Sequence, residues 1–170
     1  MKNNKKVYFA LCADLLHHAH IKQIKQAQSL GNLTLGLLTD EAIASYKRVT
    51  VMKYNERKLL LKSIFPYSKI VPHSTHDYTT NIKKLKPDIL VHGDDWIDGN
   101  QKRIRAIVIN LCRKYKIQMV ELKYVEGISS SVLIDRANNS FNQVNLNYFL
   151  KTLNTDCLLY TSPSPRDRSI

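Results

Sequence analysis

Five short strand-like runs recur along the chain, and the stretches between them space their apolar residues for helices. Val7-Tyr8-Phe9-Ala10-Leu11 is the first run and Leu33 to Leu38 the second. Lys69-Ile70-Val71, closed by Pro72, then Ile89-Leu90-Val91 and Gln118 to Leu122 complete the set. Ile21, Ile24, Ala27 and Leu30 recur at three-residue intervals and end at Gly31, a good helix stop. Further helical stretches contain Glu56 to Leu61, Tyr78 to Leu85 with Pro87 as the break, Gln101 to Tyr115, and Ser129 to Asn138. Strands separated by helices predict an α/β fold, a parallel sheet covered by helices on both faces. Ligands in such sheets sit beyond the C-terminal ends of the strands.

That rule selects the residues that follow the strands. Asp14-Leu15-Leu16-His17-His18-Ala19-His20 comes directly after the first run and opens the first helix. His17 and His20, three residues apart, share one helical face near its positive end, where free N–H groups already attract an anion. The pair can grip a polyphosphate; equally, one imidazole can cap the turn while the other lies on the surface. A zinc site fits less well because no third ligand stands at a recognisable spacing. His18 reads as a turn residue. Thr39-Asp40 and His92-Gly93-Asp94-Asp95-Trp96 also follow strands, and Gly127-Ile128-Ser129-Ser130-Ser131 opens a helix whose hydroxyls and N–H groups suit phosphate oxygens or simple capping.

A chain of 170 residues that is 44% hydrophobic can build one core but not two comfortable ones. No apolar run reaches the ~20 residues needed to span a bilayer, and the Lys-rich start leads into a strand, so a cytoplasmic protein is expected. Cys12, Cys112 and Cys157 form no metal or redox spacing and read as free thiols. The net charge of +12 raises nucleic-acid binding as an alternative. Its Lys and Arg residues, however, are spread along the whole chain, without a basic arm or an aromatic stacking motif, and suit a phosphate-rich small substrate better.

Taken in order, Asp-Leu-Leu-His-x-x-His, the Arg57-Lys58 helix, Gly93-Asp94-Asp95-Trp96 and Glu126-Gly127-Ile128-Ser129-Ser130-Ser131 resemble the cytidylyltransferases of the nucleotidyltransferase superfamily, over roughly Lys6 to Ala137. The segment from Leu37 to Arg48, with Asp77-Tyr78-Thr79 and Lys86-Pro87-Asp88, is most similar to the cytidylyltransferase domain fused ahead of phosphoenolpyruvate phosphomutase in phosphonate biosynthesis. Glycerol-3-phosphate cytidylyltransferase is the next closest, and the choline-phosphate enzyme belongs to the same set.

The resemblance implies a Rossmann-like nucleotidyltransferase fold and transfer of CMP from CTP to a phosphonate or phosphate monoester, with Mg2+ on the departing pyrophosphate. It assigns catalysis to His17, His20, Lys47 and Ser129. Nucleotide contacts fall to Cys12, Ala13, Asp14, Arg57, His92, Asp94, Asp95, Gly127, Ile128, Ser129 and Ser130, and Asp14 and Asp94 are the carboxylates nearest a metal role. Adenylyltransferases share the fold and the paired histidines, so ATP stays open as donor, and a degenerate domain that binds a nucleotide without turnover stays open as a non-enzymatic reading. Ala19 and Ala10 stand where relatives carry Gly, Cys12 where a hydroxyl is expected, and Tyr124 where the glycerol-3-phosphate enzyme has Arg. Relatives are often dimers, so a homodimer is allowed, although no apolar stripe marks an interface.

The expected domain is residues 1–137. Residues 138–156 read as a linker or the first helix of a truncated C-terminal region, which leaves room for a lost phosphomutase domain. Residues 157–170, Cys157 to Ile170, resemble a translated sequencing adapter and are expected to be non-native and without fixed structure.

Overall fold

A computed structural model of the chain describes residues 4–75, 77–97, 101–123 and 125–154, apart from the side chains of 142–149 and 151–154. Tyr124 and the adapter-like tail therefore lie outside the described residues. The chain divides into two units, Met1–Ser130 and Ser131–Ile170.

The first unit is built on five parallel strands, β1 (Lys6–Leu11), β2 (Asn32–Leu38), β3 (Lys69–His73), β4 (Ile89–Gly93) and β5 (Gln118–Leu122), in the spatial order β3-β2-β1-β4-β5. Central β1 pairs with β2 on one side, Phe9 opposite Leu35, and with β4 on the other, Phe9 opposite Val91. Because a strand's side chains alternate between faces, Val7, Phe9 and Leu11 enter one core and Tyr8 and Ala10 the other. The first core is closed by Ile24 and Ala27 of α1 (His18–Ser29) and Leu61 of α3 (Tyr54–Ile64). The second is closed by Ala42 and Ile43 of α2 (Asp40–Ala44), Ile82 of α4 (Thr79–Leu85), and Val108 and Cys112 of α5 (Lys102–Tyr115). Burial on both faces is why the inner strands β1, β2 and β4 read as largely apolar runs. The strand order reverses between β1 and β4, and a doubly wound sheet opens its ligand crevice at that reversal.

Three elements differ from the sequence expectation. β3 does not stop at Val71 but runs on through Pro72, which pairs with Leu37, to His73. It is an edge strand, where a proline's missing N–H costs no ladder bond. α2 was not expected; it is a five-residue helix whose first turn is held by the Thr39 hydroxyl accepting from the Ala42 N–H at 3.2 Å. α6 (Ser130–Asn154) begins one residue later than expected and continues well past Asn138, so the stretch considered a linker or helix has a helical backbone through Asn154. His18 is the first residue of α1 rather than part of the turn, and His17 is its N-cap. Among the described residues no helix is long and apolar enough to cross a membrane.

Candidate active site

A cleft of about 170 Å3 opens at the C-terminal ends of β1 and β4. The chain leaving β1 turns sharply there, with Ala13 at φ 51° and Leu15 at φ 56°, both in the left-handed region. That turn delivers His17 to the N-cap of α1 and His20 to its first turn. The two rings stand 3.8 Å apart between centroids, tilted by 36°. The His17 backbone N–H donates to His20 Nδ1 at 3.4 Å. An accepting ring nitrogen carries no proton, so the neutral His20 ring keeps its proton on Nε2 as a donor. Burial, reinforced by His17 and Lys47, pushes the His20 pKa down to about 3; burial and the neighbouring His18 lower His17 as well. His17 Nδ1 is buried with no hydrogen-bond partner among the described residues. The pair is therefore neutral and drier than imidazoles prefer, with hydrogen-bonding capacity left over.

Of the residues expected at the site, Cys12, His17, His20, Lys47, His92, Asp95, Ser129 and Ser130 line this cleft, together with Ala10 and Ala19, the two positions where relatives carry Gly. The Cys12 thiol meets the Tyr46 hydroxyl at 3.0 Å, and burial raises its pKa, so it faces the cleft as a neutral, weak donor. Ser130 donates its hydroxyl to the Asp14 carbonyl, which ties Ser130 to the turn after β1. Gly127 lies at φ 77°, a conformation that favours glycine, and sets up the turn into Ser129. Gly93 allows close approach, since a Cβ there would stand 2.7 Å from Asp95 Oδ1.

Other expected residues lie behind the wall. Ala13, Asp14, Arg57, Asp94, Gly127 and Ile128 do not line the cleft. Arg57, expected to pair with phosphates, is fully buried and spends its guanidinium on the Met52 carbonyl (3.1 Å), the Cys12 carbonyl and Asp40 Oδ1 (2.6 Å). Asp14, expected near a metal, accepts the Val51 and Met52 N–H groups at 3.2 and 3.0 Å and pairs with Arg48 at 2.7 Å. Its carboxylate is engaged by the chain, and Asp95, rather than Asp94, is the carboxylate on the cleft wall.

The sequence reading missed His73 and Tyr78 on the inner wall and Tyr46 beside Lys47. His73 Nδ1 and the Tyr8 hydroxyl are 2.8 Å apart, and the Asn81 amide donates to that hydroxyl at 2.7 Å. This buried triangle fixes the His73 ring. Extending β3 through Pro72 would have placed His73 at a strand's C-terminal end and marked it as a candidate. On the facing wall the His92 ring stacks on Trp96 at 3.5 Å and 6°. Trp96 donates its indole N–H to Glu121 at 2.7 Å, and Arg105 grips the same carboxylate at 2.7 and 3.0 Å. The Arg105 hydrogen bonds, outweighing burial, hold the Glu121 carboxyl below its ordinary range.

Similarity to known proteins agrees with this geometry. The Cytidylyltransferase-like family matches residues 9–136. Ethanolamine-phosphate cytidylyltransferase of Mus musculus is 30% identical over 132 residues, covering 74% of this chain and 30% of that protein. The bifunctional protein HldE of Helicobacter pylori (strain J99) is 28% identical over 145 residues, covering 83% of this chain and 29% of its own length. FAD synthase of Korarchaeum cryptofilum is 28% identical, covering 83% of this chain and 97% of that protein. This chain thus spans about a third of the length of the first two relatives. Among solved structures, the lipopolysaccharide core biosynthesis protein of Thermoplasma volcanium superposes with a TM-score of 0.59 at 20% identity, over 71% of this chain and 96% of that one, a likeness of fold. With a five-stranded parallel sheet, a crevice at the β1/β4 reversal and a family match over most of its length, the chain belongs to the cytidylyltransferase-like family.

Proposed function

We propose that the cleft moves CMP from CTP to a small phosphonate or phosphate monoester and releases pyrophosphate. The observation that carries this reading is the His17–His20 pair: two neutral, half-satisfied imidazoles 3.8 Å apart, with Lys47 on the same cleft wall. An acceptor oxygen, already ionised at neutral pH, attacks the α-phosphorus of CTP. The bond from that phosphorus to the bridging oxygen breaks, and its electron pair leaves with pyrophosphate. No strong general base is needed, so the work is alignment and stabilisation of charge on the transferring phosphoryl. The His20 Nε2–H and the Lys47 ammonium supply that stabilisation, with the Ser129 hydroxyl and the Ser130 backbone N–H on phosphate oxygens.

Magnesium demands oxygen ligands and keeps several waters, so it usually rides on substrate phosphates with one or two carboxylates. Asp95, about half exposed on the cleft wall, fits that requirement as the protein's donor, and Asp14 does not. Bound there, the ion would neutralise charge on the leaving pyrophosphate.

The test is pyrophosphate release by the chain with CTP or ATP, magnesium, and a panel of phosphonates and phosphate monoesters. Release that requires CTP and one acceptor class, and that falls away in His17→Ala and His20→Ala, supports the reading and names the acceptor. The fold and paired histidines shared with adenylyltransferases make ATP the second donor to try. CTP binding without release across the panel would instead identify a nucleotide-binding domain without turnover, and stabilisation by RNA alone would favour the nucleic-acid alternative.

A further inference from the structure

Between α2 and α3 the chain runs as a strap, residues 45–53, with no regular secondary structure of its own. Side chains from outside it hold it along its length. Asp14 accepts the N–H groups of Val51 and Met52 and pairs with Arg48. Asp40 accepts the Thr50 hydroxyl at 3.2 Å and the Tyr54 N–H at 3.0 Å. Arg57 joins the two sets: its guanidinium donates to Met52 in the strap, to Asp40 at the start of α2, and to Cys12 at the end of β1. One fully buried side chain thus makes a bond in each of the three segments that must meet for the strap to lie where it does. Tyr46 and Lys47, which the strap carries, both line the cleft.

We propose that Arg57 is a positioning residue for this site: without touching the ligand, it sets where the Lys47 ammonium stands and so governs affinity for a polyphosphate. Only a planar fork with five N–H donors reaches three separated acceptors at once; a lysine in its place keeps the charge and loses the span. A strap already pinned does not have to be ordered when the ligand arrives, so the cation acts at full effect. The link to polyphosphate affinity rests on the nucleotide reading above, whereas the tie itself can be tested without any ligand.

The experiment compares the full chain with its Arg57→Lys, Lys47→Ala and doubly substituted forms, and with Asp40→Asn as a gentler way to loosen the same tie should Arg57→Lys fold poorly. In the absence of ligand, amide hydrogen exchange at Val51, Met52 and Tyr54 is expected to quicken by about tenfold in Arg57→Lys while the amides of β1 and α5 stay protected. In CTP titrations, Lys47→Ala is expected to weaken binding by about tenfold in the natural background, the worth of one charge-assisted contact. In the Arg57→Lys background the same change should cost less than about twofold, because the ammonium is already displaced. Unchanged exchange along the strap, or a Lys47→Ala penalty equal in both backgrounds, would overturn the proposal. Faster exchange in a chain that binds no CTP would overturn the nucleotide reading, and with it the link to affinity, while supporting the tie.

Discussion

The His17–His20 pair and the Arg57–Asp40 pair both meet the chain where it leaves β1, yet their hydrogen-bonding states are opposite. Arg57 has partners on three segments, and Asp40 accepts from Arg57, Thr50 and Tyr54. The His20 ring accepts one long bond from the His17 backbone N–H, and His17 Nδ1 is buried without a partner among the described residues. A saturated buried charge has nothing left to offer a ligand, and its loss is felt by the fold. A dry, under-satisfied pair costs the fold something and ties no distant segments together.

The largest expected effect breaks the saturated pair. Arg57→Met leaves the Cys12 and Met52 carbonyls without their donor and Asp40 without its cation, and should cost about 3–5 kcal/mol of stability in urea unfolding. A loss below about 1 kcal/mol would show that the tie is not what holds the loop.

Next in size is the histidine pair. His20→Ala should lower turnover by about 100-fold to 1,000-fold, the worth of a preorganised donor at a developing anion. Stability should stay level or rise, since a desolvated ring is removed. A large fall in melting temperature without a fall in turnover would reverse the comparison.

Acid sharpens the same contrast through proton linkage. The folded His20 pKa of about 3 lies below its ordinary 6.5, so the unfolded chain binds the extra proton in that interval. The buried ring carries no protonation penalty well above pH 6.5, and the fold loses stability as pH falls from there towards 3. One such proton gives a slope of at most about 1.4 kcal/mol per pH unit. Asp40 is partly buried, which by itself raises its pKa, but the Tyr54 N–H and Arg57 more than compensate and hold it below 3.8. Its contribution is therefore present above 3.8 and disappears only at lower pH, as the depressed folded pKa is crossed. Melting temperatures from pH 7 to 4 should fall less in His20→Gln than in the natural chain, and parallel curves would remove His20 as the cause.

The smallest effect is at Cys12. Cys12→Ser restores a hydroxyl beside Tyr46 and the cleft, and should change CTP affinity by under about 1 kcal/mol, measured by calorimetric titration.

How much of this was legible depended on whether the governing interactions were local. The three inner strands were readable because a strand buried on both faces leaves a continuous apolar run, and the paired imidazoles because i, i+3 spacing fixes a shared helical face. α2 was missed because five residues are too few for a periodic pattern. His73 was missed because Pro72 reads as a strand end unless the strand is known to lie at a sheet edge. Along α3, hydropathy points the wrong way: Leu59 is 68% exposed while Arg57 is fully buried. A guanidinium enters a protein interior only if acceptors wait there, and its acceptors on Cys12 and Asp40 lie 45 and 17 residues away in the chain.

By itself, then, the order of the amino acids determined the parallel α/β layering, the end of the sheet that would hold a ligand, and the histidines beside it, since each follows from the period of neighbouring residues. Which charged side chains face the cleft and which are consumed in holding it was decided by the tertiary structure alone. Asp14 and Arg57 carry charge as plainly as Lys47 and Asp95; only the fold, by bringing distant carbonyls and N–H groups against the first two, settles that they are spent on the chain while the others line the cleft.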